Sequence, residues 1–108
     1  MKIKIDQPIK DFNGKALEAG EKDKTPVTFR PVIENALSAQ SGEHPLTSEK
    51  KLYAFQIGVR LFSKKLAEYD LTVEQIAFLK ERIGLFYNPV VYGRFLELIG
   101  DEAITKEE

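Results

Sequence analysis

The chain has 108 residues, 43% of them apolar, which is enough for one core of ordinary size without a covalent staple. Its 16 basic and 17 acidic side chains leave a formal net charge of −1, so overall charge gives no argument for nucleic-acid binding and only a local patch could. The absence of cysteine excludes disulfides, cysteine metal sites and thiol catalysis, and no apolar run approaches the ~18 residues of a membrane-spanning helix.

The start, Met1-Lys2-Ile3-Lys4-Ile5-Asp6, carries no secretory pattern, and the expected location is the cytosol. Lys2-Ile3-Lys4-Ile5 alternates with period two, as a half-buried strand does. Pro8 interrupts it. Asn13-Gly14 then predicts a small hairpin with a type I′ turn, flanked by Ile9 and Phe12 before it and Ala16 and Leu17 after it. Gly20 to Thr25 reads as a charged, solvated loop.

From Thr28 the pattern turns helical. A first helix is expected from Phe29 to about Ala39, with Thr28 as cap and Pro31 in its first turn, where a missing N–H costs little. Val32, Ile33, Ala36 and Leu37 form its apolar side. Gln40 to Pro45 breaks it. A second helix is expected over 48–68, capped by Thr47 or Ser48. Leu71-Thr72-Val73-Glu74-Gln75-Ile76 reads as a capping box with a hydrophobic staple, opening a third helix that runs from Val73 to about Tyr87. Asn88 and Pro89 then start a fourth helix, which closes at Gly100. The expected fold is α+β and helix-dominated: a single domain over 1–100, with a β-hairpin region over 1–27, about four helices over 28–100 and a fraying acidic tail over 101–108.

Helical spacing assigns the core to three stripes. These are Leu52, Phe55, Val59, Phe62 and Leu66 on the second helix, Ile76, Leu79, Ile83 and Phe86 on the third, and Val91, Phe95, Leu98 and Ile99 on the fourth.

Reactive chemistry is not visible. His44 is the only histidine and has no neighbour to orient it or to share a metal, so neither a metal nor a catalytic residue is expected. Asp6, Asp11, Glu18, Asp70, Glu74, Glu81 and Glu97 read as surface charges. Gly14, Gly20 and Gly42 lack phosphate-loop spacing, so no cofactor is expected. Gly58, Gly84 and Gly93 lie inside helices, where they either relieve crowding beside Phe62, Phe86 and Phe95 or permit close helix approach. The third and fourth helices suggest a DNA-reading hairpin in outline only, because Arg94 and Glu97 are the fourth helix's only charges.

One helix face stands out. Opposite the expected core stripe, the second helix carries Tyr53, Ile57 and Leu61 among Lys50, Lys51, Arg60, Lys64 and Lys65. Either the first part of the chain covers Ile57 and Leu61 while the lysines reach out to water, or this side meets a partner. On the second reading, Tyr53, Ile57, Arg60, Leu61 and Lys64 form a partner-binding site for an acidic protein or a second copy. General nucleic-acid binding through the same cations is the alternative.

The small Asn-Gly hairpin, the helix bearing Asn35-Ala36-Leu37, the Thr-capped helix ending in Ile83-Gly84 and the Pro89-Val90-Val91-Tyr92-Gly93-Arg94 segment together resemble a group of small proteins of tailed bacteriophages and prophages. The matching positions are turns, caps and packing residues. The resemblance implies a viral origin and a non-enzymatic interaction role, and it implies no reaction.

Overall fold

The computed structural model describes residues 2–18, 25–39 and 45–100. Among these the elements are β1 (Lys2–Ile3), α1 (Phe29–Ser38), α2 (Ser48–Phe62), β2 (Tyr69–Asp70), α3 (Val73–Phe86) and α4 (Pro89–Ile99). The fold is α+β and helix-dominated. The period-two alternation at the start is real: Ile3 and Ile5 are buried while Lys2 and Lys4 face water. The partner of β1 is distant, however. It pairs antiparallel with β2, Lys2 opposite Asp70 and Ile3 opposite Tyr69.

Three short segments of the N-terminal region close on one another. Leu17 N–H donates to the Ile9 carbonyl, Ile9 N–H to Val27, and Val27 N–H to Leu17, each at 2.8 Å. This ring satisfies the polar backbone around Ile9, which is fully buried. The hairpin within it is not type I′, because Asn13 does not take positive φ; among the described residues only glycines do. Gly14 N–H bonds the Asp11 carbonyl and Gly14 takes φ +86°, giving a three-residue loop of a type I turn followed by a left-handed glycine. The Asp11 carboxylate decides the difference. It accepts from the N–H groups of Asn13 and Lys15, a local bond that type I′ geometry does not need.

The helix ends follow cap chemistry. The Thr47 hydroxyl accepts from Lys50 N–H. Thr72 and Gln75 exchange both bonds of the capping box, at 2.9 and 3.1 Å, and Leu71 and Ile76 are buried. Asn88 accepts from Val91 N–H, and Gly100 ends α4 in the left-handed region. Thr28 is the N-cap residue of α1 but makes no side-chain cap bond.

Helix α2 stops at Phe62, short of the expected 48–68. The Tyr69 hydroxyl explains this: it donates to the Lys64 carbonyl and accepts from Leu66 N–H, holding the chain in a turn that feeds β2. A continued helix would give those backbone groups other partners.

The core joins Ile3, Ile5 and Ile9 to Phe29, Val32, Ile33 and Ala36 of α1, Ile57 and Leu61 of α2, Leu79 and Ile83 of α3, and Phe95 of α4. Phe29 and Phe95 rings meet at 6.3 Å between centroids. Gly84 permits a close approach between α3 and α4, since a Cβ there would lie 3.0 Å from the Tyr92 ring. Gly58 and Gly93 meet no such crowding.

Candidate protein-docking face

Each residue of α2 advances about 100° around its axis, so its apolar residues divide into two sides. One side holds Leu52, Phe55, Val59 and Phe62; the other holds Tyr53, Ala54, Ile57 and Leu61. The structure turns the second side inward. Ile57 and Leu61 are fully buried and Ala54 is 4% exposed. The first side is outside, with Leu52 58%, Phe55 66% and Val59 47% exposed. The expected core stripe is therefore wrong for Leu52, Phe55 and Val59, and also for Leu66 in the turn after α2, which is 42% exposed. Phe62 is half-buried.

The expected partner-binding set is corrected in the same step. Ile57 and Leu61 are sealed in the core, and Tyr53 is half-buried with its ring edge-on to Phe78 at 5.2 Å. Arg60 and Lys64 are exposed. The Arg60 Nε donates to the Asp70 carbonyl at 2.9 Å, and the Lys64 carbonyl accepts from Tyr69. The proposed five thus do not share a surface. Packing of α1 on this side of α2 explains it. Leu37 of α1 comes within 4.0 Å of where a Gly58 Cβ would stand, so the small pair Ala54 and Gly58 faces α1. That i, i+4 pair of small residues was a usable sign of which side is inward.

The outward side borders a groove of about 580 Å³ between α1 and α2. Leu37, Leu46, Phe55, Val59 and Phe62 give it an apolar lining, with Glu34 and Lys51 at its rim. Beyond Phe62 its end is tied to Asp6 and Tyr69 through Arg30. Arg30 lies 5.9 Å from both the Phe62 and Tyr69 ring centroids. It grips Asp6 with two bonds of 2.8 and 2.9 Å and donates to the Tyr69 hydroxyl. The Arg30 bonds hold the Asp6 carboxyl below the usual carboxylate range, against the smaller effect of burial. Asp6 and Tyr69 in turn push the guanidinium pKa further up. Burial would raise the Tyr69 hydroxyl, but the Leu66 N–H and Arg30 outweigh it and the net shift is downward.

Two other sites have polar character. Lys2, Lys4, Lys10 and Arg94 line a cleft of about 470 Å³ together with Glu68 and Glu97. Its charges are largely paired: Arg94 bonds both Glu97 oxygens and the Lys10 and Asp11 carbonyls, and Lys2 lies 3.6 Å from Glu68. Arg82 is buried and donates to the carbonyls of Ala36 and Ala39, which makes it a cap for the end of α1. Among the described residues no group of His, Asp and Glu side chains could hold a metal, and no helix is long and apolar enough to cross a membrane. His44 lies outside the described residues, as do Gly20, Gly42 and the acidic tail.

Comparison with protein-family models, curated proteins and solved structures finds no match to this chain.

Proposed function

We propose that this is a non-enzymatic interaction protein that docks an apolar protein segment on the outward side of α2. The observation that carries the reading is the run of Leu52, Phe55 and Val59 along one helical side, exposed beside an apolar groove. Isolated exposed hydrophobes are ordinary on a protein surface, whereas a contiguous stripe bordering a concavity is characteristic of a contact site. Phe55 is its anchor, because aromatic side chains bring large area at low entropic cost. We also propose a viral setting for this role, from the resemblance of the turn, cap and packing positions to small proteins of tailed bacteriophages.

A photoreactive benzoylphenylalanine in place of Phe55, irradiated in cells that make the protein, tests the reading. A discrete covalent adduct is expected at position 55 and not at Val73, an equally exposed but solitary apolar residue. Equal yields at the two positions, or no adduct at 55, overturn it.

A further inference from the structure

We infer that the occupant of this face is a second copy of the same chain, its α2 lying antiparallel across the first about a two-fold axis near Ala54 and Phe55. The inference rests on the docking reading above and adds the partner.

Charge placement carries it first. Glu49 and Arg60 are both exposed and stand eleven residues apart, about three helical turns, so they share one edge of the outward side about 16 Å from each other. A two-fold axis perpendicular to the helix brings like edges together. Passed through the midpoint between these residues, it lays each Glu49 against the other copy's Arg60, forming two symmetric ion pairs. The Asp70 carbonyl already fixes the Arg60 Nε on that edge.

The same axis makes the apolar residues interlock. Leu52 stands about 3.8 Å along the helix from the midpoint, and on that side the other copy presents Phe55 at about 0.8 Å and Val59 at about 6.8 Å. Each Leu52 therefore enters halfway between an aromatic and a branched side chain, as a knob enters a hole. No second sequence is needed for this fit, which is the property a two-fold interface demands.

The antiparallel arrangement is also the one that charge permits. A parallel pair would gather Arg60, Lys64 and Lys65 of both copies at one end. The antiparallel pair separates these clusters and sets the two Lys51 side chains, on the opposite edge, about 10 Å apart along the helix, beyond the ~8 Å screening length of physiological salt. One helix pair covers less than the ~800 Å² per partner of a standard interface, so the dimer is expected to be micromolar.

The test is sedimentation equilibrium of the full chain from about 1 to about 200 µM at about 0.15 M salt. The mass is expected to rise from 12.3 kDa towards twice that value. Phe55→Asp should abolish the rise with an unchanged thermal melt by circular dichroism. Glu49→Arg and Arg60→Glu should each weaken association about tenfold, and the two together should restore it. A chain that stays monomeric throughout, or a dimer indifferent to all three variants, overturns the inference. A monomer whose position 55 still crosslinks to a different protein overturns the second-copy assignment and leaves the docking reading standing. A monomer without that adduct removes both.

Discussion

Arg82 is the side chain whose role was least visible before folding. It sits on α3, is 3% exposed, and sends Nη2 to the Ala39 carbonyl at 2.8 Å and Nε to Ala36 at 3.4 Å. Helix α1 ends without a left-handed glycine and without a basic residue in its last turn, so its final carbonyls need donors from elsewhere. A cation at this end also meets the negative pole of the helix. The guanidinium lies 4.6 Å from the Phe86 ring centroid, which screens it from water. Burial pushes its pKa down, partly offset by Glu81. Arg82→Met keeps the apolar stem and removes the donors, and should cost about 2–3 kcal/mol in urea unfolding. Arg82→Lys, with one compact ammonium, should recover part of that loss. An arginine forty-odd residues downstream of the helix it caps leaves no local trace in a sequence.

Helix α2 likewise combines a locally decided start with a side decided by distant packing. Its start was legible because Thr47 and Lys50 are neighbours, and cap geometry is decided within one turn. The capping box of α3 and the Asn88-Pro89 opening of α4 were legible for the same reason. The inward side of α2 was not, because two apolar stripes compete on one helix and periodicity alone cannot rank them. Side-chain size favoured Leu52, Phe55 and Val59, but packing favoured Ile57 and Leu61, where the small residues Ala54 and Gly58 face α1. Alanine substitution separates the two sides. Ile57→Ala should cost about 2–5 kcal/mol through lost burial and a residual cavity. Val59→Ala should stay within about 0.5 kcal/mol at concentrations where the chain is monomeric, read by urea unfolding.

Across the whole molecule, arginines tie the N-terminal region to the helices. Arg94 of α4 holds the hairpin through the Lys10 and Asp11 carbonyls. Arg30 of α1 joins Asp6 to Tyr69, and so locks the turn that ends α2 and starts β2. This second tie makes global stability depend on acid. Asp6 has a folded pKa below its unfolded one, so the unfolded chain binds the proton more readily. Its contribution is complete above the unfolded carboxylate range near pH ~4 and disappears as pH falls through the lower, folded value. The urea midpoint of the wild-type chain should therefore drop in that window, and Asp6→Asn should remove part of the drop. The difference should be modest and shrink with salt, because the carboxylate is 42% exposed. Sequence alone determined the helix-dominated class, the helix starts and the amphipathic sides of α1 and α4, since these follow from interactions within a few residues or from a single dominant stripe; on α3 it placed Ile76, Leu79 and Ile83 inside but missed the buried Phe78 and Arg82, and Phe86 is only half-buried. Only the tertiary structure decided the pairing of β1 with β2, the arginine ties and which side of α2 meets water. Those depend on groups brought together across the chain, and their energies exist only once the elements have packed.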